Sequence, residues 1–190
     1  YYPLTVINEM SESTTQTFNP LFGAIATRTD ANQLLTSFTY DSMGRSANDT
    51  RPDGTKTERF WTVCPVGQCD WRVRTYRTSN ERATDNSLIG QTVEYFDMYD
   101  RPLYEYRWSP LLGSAAYSVR GYTYDAAGRV VQALFPFLNT ATSWPAETTS
   151  FDALSRVRTK SRPVSASDPT IQSVTYTYIR GTHHERAGRG

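Results

Sequence analysis

Charge of one sign is what this chain most visibly lacks. Twenty Lys and Arg stand against 19 Asp and Glu, a formal net charge of +1 over 190 residues. Such a balance gives no field to steer nucleic acid or an anionic membrane surface. Lysine is nearly absent, at Lys56 and Lys160 only, so almost all the positive charge is arginine. No apolar run approaches the roughly 20 residues a membrane-spanning helix needs. With 38% hydrophobic residues and a mean hydropathy of -0.58, the composition predicts a thin core spread along a sheet. No segment carries a helical stripe, and there is no Gly-rich phosphate cradle or nucleophile elbow. The two histidines, His183 and His184, are adjacent. On a strand they face opposite ways, so they cannot easily share a metal or form a catalytic pair. Two cysteines alone cannot complete a tetrahedral zinc site. No catalytic constellation, metal site or cofactor is therefore expected.

What is present is a repeated phrase: an aromatic, then Asp, then Arg four positions after the Asp. It occurs as Tyr40-Asp41 with Arg45, Phe96-Asp97 with Arg101, Tyr124-Asp125 with Arg129, and Phe151-Asp152 with Arg156. The aspartates at 41, 97, 125 and 152 are separated by 56, 28 and 27 residues. The first step is two steps of 28, and a degenerate copy falls in the gap at Cys69, Asp70 and Arg74. One step past the last copy lies Tyr178, with Ile179 and His183 in place of Asp and Arg. A fixed period of this length implies an array of one supersecondary unit.

The phrase has a direct physical meaning. Asp at the first position of a turn accepts the backbone N–H two residues on, and Gly at the fourth supplies positive φ. Asp41 with Gly44 and Asp125 with Gly128 fit. Asp100 and Ser155 stand in for Gly in two units, and β-branched Val73 does so at Asp70, where a different turn or none is expected. Flanking residues alternate as strands do: Val174, Tyr176 and Tyr178 against Ser173, Thr175 and Thr177. A second turn signal stands at Pro52-Asp53-Gly54, with looser ones at Ser109-Pro110, Phe135-Pro136 and Arg162-Pro163. The fold class predicted is all-β, an array of antiparallel two-stranded hairpins. It fills residues 1–190 as one unit, turning near 19, 41, 70, 97, 125, 152 and 179. The ends, Tyr1-Tyr2-Pro3 and Ala187 to Gly190, read as cuts through a longer array.

Because a turn is needed in every unit and a catalytic pair only once, the repeated aspartates are expected to be structural. The arginines suit contacts to carbonyls or a carboxylate between units. Cys64 and Cys69 bracket a hairpin tip at Pro65 to Gln68, where facing strands would bring them within disulfide range. A disulfide, two idle thiols and a metal site all remain open. A Cys–His nucleophilic pair would have to span several repeats. Trp61, Trp71, Trp108 and Trp144 could stack on sugars or simply pack the sheet.

These residues resemble the Rhs or YD-repeat family, whose units carry Tyr-Asp-x-x-Gly-Arg and often Pro-Asp-Gly. The closest stretches begin at Phe38 (FTYDSMGRSANDTRPDGT) and Tyr122 (YTYDAAGRVVQALFP), and the resemblance runs from about Phe18, with Asn19 in the Asp place, to Tyr178. It is greatest to the bacterial members, found in polymorphic toxins, wall-associated proteins and insecticidal toxin complexes, with teneurins as animal relatives. The resemblance implies a non-catalytic scaffold: hairpins stacked into a spiralling sheet, forming a hollow shell around a C-terminal toxin or effector. It implies neighbouring YD repeats and the enclosed effector as partners, with a glycan or cell-surface partner as the alternative. It also implies a secreted or cell-surface bacterial location. The family's aspartate-dependent self-cleavage segment, Asp-Pro-x-Gly, is not matched, since Asp168-Pro169 is followed by Thr170-Ile171.

Overall fold

The computed structural model describes residues 4–113, 116–165, 168–179 and 182–189, with side chains through Tyr178. The end residues Tyr1 to Pro3 and Gly190, the turn expected near 179 and the side chains of His183 and His184 lie outside what it describes. Among the described residues, sixteen strands follow one another in chain order. They are β1 Thr5–Ile7, β2 Ser13–Phe18, β3 Ile25–Thr29, β4 Leu35–Tyr40, β5 Ser46–Thr50, β6 Lys56–Val63, β7 Thr75–Arg82 and β8 Leu88–Phe96. Next come β9 Pro102–Trp108, β10 Ser118–Tyr124, β11 Val130–Leu134, β12 Phe137–Leu138, β13 Ala146–Phe151, β14 Val157–Pro163, β15 Ile171–Ile179 and β16 Thr182–Arg189. Along the path β1 to β11 and then β13 to β16, neighbouring strands pair antiparallel, giving one open meander; β12 lies off this path, pairing with the start of β10. A single 3-10 turn, Pro110–Leu112, is the helical element among the described residues.

The sheet is all-β as predicted, and its core is thin. Leu103 and Val119 are the buried apolar side chains among the described residues, with Thr57 and Asp97 the buried polar ones. Stability must therefore come from contacts repeated strand by strand across two faces, as in quasi-one-dimensional arrays.

Register divides the side chains cleanly. Tyr95 opposes Tyr104, Val93 opposes Tyr106, and Tyr106 opposes Val119, so these share one face. Glu94 opposes Glu105, and Glu105 opposes Arg120, on the other. The aromatic of each phrase lies on this second face with the residue that follows the arginine. Tyr40 opposes Ser46, Phe96 opposes Pro102, Tyr124 opposes Val130 and Phe151 opposes Val157, each at a bulge. In each the extra residue is the next one along the strand after the turn, Ala47, Leu103, Val131 or Arg158.

Two turn expectations need correction. Phe135-Pro136 is not a turn but the break between β11 and β12, and the chain reverses after it, with Phe135 N–H bonded to Pro145 O at 2.9 Å. Pro163 is the last residue of β14, opposite Ile171, and the turn follows it. A proline is tolerated at a strand terminus because the ladder loses no more than one donor there. The unit at Asp70 turns differently from the others, one of the two outcomes expected: Val73 N–H bonds Asp70 O at 2.8 Å, but Val73 does not take the positive φ of the fourth residue elsewhere.

Candidate functional site

All the Asp–Arg turns lie at one end of the sheet, because every second connection of a meander does. In each, the aspartate makes the same set of contacts. Oδ1 of Asp41 accepts the N–H groups of Met43 and Arg45, both at 2.9 Å, while Oδ2 accepts Arg45 Nε at 2.7 Å. The pattern recurs at Asp97 with Tyr99 and Arg101, at Asp125 with Ala127 and Arg129, and at Asp152 with Leu154 and Arg156. The fourth residue has φ of 78° at Gly44, 58° at Asp100, 80° at Gly128 and 62° at Ser155, so the non-glycine stand-ins take the same conformation. One carboxylate thus fixes the turn backbone and holds the guanidinium by charge-assisted bonds.

The guanidinium then reaches the next unit. Arg101 lies 4.5 Å over the Tyr124 ring, Arg129 4.5 Å over Phe151, and Arg156 4.2 Å over Tyr178. Arg129 also donates to Ser155 Oγ at 3.0 Å. The phrase tyrosine closes the joint from the other side. Tyr124 OH donates to Pro102 O at 2.8 Å, Tyr178 OH to Val157 O at 2.9 Å and Tyr40 OH to Ile25 O at 2.6 Å. In the first two cases the acceptor is the residue just after the previous unit's arginine. Asp, Arg and Tyr therefore act as turn lock, inter-unit bridge and latch. The expected carboxylate contact is within the unit, and the inter-unit part is a cation–π contact.

The carboxylates are held below their ordinary range: Asp41 and Asp152 chiefly by the arginine's backbone N–H, Asp125 chiefly by its side chain. At Asp97 burial opposes this, yet the Arg101 bonds still leave it lowered. Asn19 turns the chain similarly, accepting Leu21 N–H at 2.9 Å. Sequence reading missed the same turn at the opposite end. Asn8, Asp30 and Ala83 open hairpins closed by positive-φ Ser11, Gln33 and Asn86, in phrases that carry no arginine to mark them.

The unit at Asp70 departs from the pattern. Its arginine is Arg72, two residues on, with Arg72 Nη2 on Asp70 Oδ2 at 2.7 Å, and this holds the carboxyl down at about 2. Arg74 N–H instead bonds Phe96 O, and its carbonyl accepts Cys64 N–H. Arg72 reaches the Tyr104 hydroxyl and lies 5.4 Å from that ring's centre. Tyr104 belongs to the opposite face, so this one Asp–Arg pair has crossed over. Cys64 and Cys69 are joined by a disulfide, with Cα atoms 6.3 Å apart. They are not facing strand partners as expected. Both lie in the loop after β6, because Cys64 pairs with Arg74 and the residues between form the tip.

Behind that loop, the tyrosine face holds a cleft of about 500 Å³. Its floor is Tyr95, Tyr104, Tyr106 and Val119; its walls are Cys69 and Asp70 on one side, Phe137, Asn139 and Trp144 on the other. The rings form a chain of edge contacts, Tyr95 to Tyr106 and Tyr106 to Tyr117, each with centroids 5.4 Å apart. Burial raises the Tyr95 and Tyr106 hydroxyls above their ordinary pKa. Of the four tryptophans, Trp61 lies between Arg45 and Arg77 and against Phe96, closed to a ligand. Trp108 donates to Gly113 O. Trp71 is exposed at a loop tip, and Trp144 stacks on Phe137 with 63% of its surface free. Asp168 accepts Thr170 N–H at 3.0 Å, a local turn.

Comparison with solved structures assigns the architecture. The sheet has the fold of a stretch of TcdB2-TccC3. The crystal structure of TcdB2-TccC3 without its hypervariable C-terminal region matches with a TM-score of 0.57 at 13% identity over 92% of this chain. The structure of the Photorhabdus luminescens Tc holotoxin pore, with a TccC3 substitution, matches with a TM-score of 0.56 at 13% identity over 93%. The chain spans 10% of the length of each. No protein-family model matches, and no curated protein does. At this identity the likeness is one of fold. No described helix is long and apolar enough to cross a membrane.

Proposed function

We propose that this chain is a non-catalytic segment of an Rhs/YD-repeat shell that encloses a C-terminal toxin or effector polypeptide. The observation that carries the reading is the ladder of Asp–Arg–aromatic joints. Each repeats the same contacts, so the phrase serves to extend a sheet indefinitely and not to perform a reaction. Closing such a sheet on itself removes unpaired edges, which otherwise template aggregation, and separates its contents from the surrounding cytosol. The fold likeness to TcdB2-TccC3 supports the reading, as does the thin core, which relies on neighbours at both ends. A secreted or cell-surface location in a bacterium follows from it. Cryo-electron microscopy of the intact particle containing this segment tests it: a hollow shell with this sheet in its wall and weak density inside is expected. A solid or extended array enclosing nothing would overturn it.

A second reading, a recognition module for a glycan or cell-surface partner, is favoured by one observation. Trp144 presents an open ring face, backed by Phe137, at the rim of the tyrosine cleft. Whole-cell or glycan-array binding lost in a folded Trp144→Ala variant would support it, and absence of binding by the unaltered protein would dismiss it.

A further inference from the structure

We infer that the loop between β6 and β7 is a redox-sensitive wall of the tyrosine cleft. It is closed while Cys64 and Cys69 are joined and opens when a thiol reductant cleaves them, with the sheet beneath left paired. The loop stands outside the ladder of joints. Cys69 occupies the place that Tyr40, Phe96, Tyr124 and Phe151 fill in the complete phrases, so it offers no ring to the preceding arginine. Arg45 lies 5.2 Å over Trp61 instead, and Trp61 stacks on Phe96 with centroids 5.9 Å apart. The ladder thus passes from Arg45 through Trp61 to Phe96 and skips the unit at Asp70. Arg74, which would make the joint there, has no side-chain partner among the described residues. Charge marks the loop off as well. The strand charges around the cleft, Arg77, Glu94, Glu105 and Arg120, lie on the face of the joints. Tyr76, Val93, Tyr95, Tyr104, Tyr106 and Val119, on the other face, are neutral. Asp70 and Arg72 are held against that neutral face, apart from the charged one.

Two clasps therefore hold the wall, and neither duplicates the other. The disulfide ties Cys69 back to Cys64, which the Arg74 carbonyl anchors at 2.9 Å as the last rung above β6 and β7. The Asp70–Arg72 pair ties the far side of the loop to Tyr104 on the cleft floor. That pair is about one-third exposed on each side, and so open an ion pair is a weak clasp when it acts alone. The bond is open to attack: Pro65, Val66, Gly67 and Gln68 are all exposed, and the two cysteines are half-buried, not enclosed. Exposed disulfides are the labile, regulatory kind. The reductant is a thiol of the glutathione or thioredoxin class. Its thiolate attacks one sulfur and the other leaves as a cysteine thiolate; a second reductant thiol then releases the mixed disulfide. Two electrons pass to the protein, the reductant's two protons end on Cys64 and Cys69, and the reductant leaves as its own disulfide. Below the break, β6 and β7 stay paired from Lys56 with Arg82 to Val63 with Thr75, so opening is confined to the loop. Gln68, Cys69, Asp70 and Val73 line the cleft, and they are what moves. The wall is closed in an oxidising compartment and open in a reducing cytosol, whether or not the sheet closes into a shell.

The test uses the intact particle containing this segment, held natively in oxidised glutathione or in a buffer of mainly reduced glutathione. Alkylation with mass spectrometry counts the thiols at Cys64 and Cys69, and hydrogen exchange follows the loop. The amides to watch are Gln68, Arg72 and Val73, whose N–H groups are bonded within the loop to Pro65 O, Asp70 Oδ1 and Asp70 O. In reduced glutathione both thiols should appear, and these amides should exchange faster by up to about thirtyfold, the release expected on opening so small a ring. β7, β8 and β9 should stay protected. A Cys64→Ser/Cys69→Ser variant should exchange at the faster rate in both buffers, which separates this bond from any other the particle holds. A disulfide that survives reduced glutathione in the native particle overturns the switch. Two free thiols with no faster exchange, or a double variant as slow as the oxidised protein, would show that the bond does not hold the wall. Protection lost through β7 to β9 together with the loop would make the disulfide a staple of the whole sheet and overturn the inference. The comparison of unaltered protein in the two buffers decides the matter even where the variant does not fold.

Discussion

Asp97 is the most informative residue to remove, because its turn is the most enclosed of the four complete phrases. The side chain pair Asp97–Arg101 is 9% and 29% exposed, against 24% and 42% for Asp152–Arg156. Asp97→Ala deletes the acceptor of two backbone N–H groups, at 2.8 and 3.0 Å, and of a guanidinium fork at 2.7 and 2.6 Å. Breaking one side of a buried pair costs about 3–5 kcal/mol. Arg101 keeps the Tyr124 ring and some solvent, which places the expected loss near the lower limit, about 3 kcal/mol. Asp97→Asn retains an oxygen for both N–H groups but sets an amide NH2 where Oδ2 accepted the fork, so both guanidinium bonds go with the charge, an expected cost of about 2 kcal/mol. Asp152→Ala makes the same deletion where Arg156 is well solvated, and screening leaves its cost the smallest of the three. Urea unfolding followed by far-UV circular dichroism measures all three, and Trp61, stacked on Phe96 beside the altered turn, gives a local fluorescence signal. Equal m-values are required for the comparison. If Asp97→Ala and Asp152→Ala cost the same, or Asp97→Asn costs as much as Asp97→Ala, enclosure of the carboxylate is not what gives the turn its strength.

Further outcomes follow from neighbouring contacts. Tyr124→Phe should cost about 1 kcal/mol, the net worth of its bond to Pro102 O, and Tyr124→Leu about 1 kcal/mol more through loss of the Arg101 cation–π contact; equal costs in urea unfolding would refute a role for the ring. Gly44→Ala should destabilise by at least about 1 kcal/mol, because φ is 78° and the new Cβ would meet the Phe22 ring at 2.9 Å; an unchanged melting temperature would count against the described turn. Thiol titration of unreduced, denatured protein should find no free thiol, and reduction should lower stability by about 2 kcal/mol on loop-closure grounds; two free thiols would remove the disulfide. Acid should act at low pH. The turn aspartates and Asp70 are depressed below their unfolded values, so their stabilisation is complete above about pH 4 and is lost as pH falls through the folded values, about 2 for Asp70. Loss of structure already between pH 6 and 5 would implicate other groups.

Most of the architecture was legible because the chain repeats. A phrase met four times in register fixes turn, strand direction and the end of the sheet at which the turn sits, and each repetition tests the others. The turns without arginine were harder to see. Asn8, Asp30 and Ala83 begin turns whose fourth residue is Ser, Gln or Asn, a common combination that no spacing distinguishes from loop. The proline signals misled by position, since Pro136 and Pro163 mark where a ladder ends and not where the chain reverses.

The tyrosine cleft was invisible for a different reason. Tyr95, Tyr104, Tyr106 and Tyr117 come from β8, β9 and the loop before β10, and only register places them together. Their number in the sequence suits any half-buried strand. What singles them out is the failure of the repeat at Asp70, where Val73 occupies the position glycine or a polar stand-in holds elsewhere. There the turn lengthens, the disulfide shapes its tip, and Arg72 takes Tyr104 in place of an aromatic on its own face. In an array built from one joint, the unit that abandons the joint is released from the ladder. It is also the unit that walls the cleft, so the defect in the repeat and the recess in the neutral face are one feature. Restoring the phrase there, with Val73→Gly and Arg72→Ser to free Arg74 for Asp70, should return the pair to the charged face and open the cleft on that side. Hydrogen exchange would show this as faster exchange at Gln68 and Cys69 with unchanged protection in β8 and β9. Unchanged exchange across the loop would mean that the disulfide, and not the Asp70–Arg72–Tyr104 contact, holds the wall.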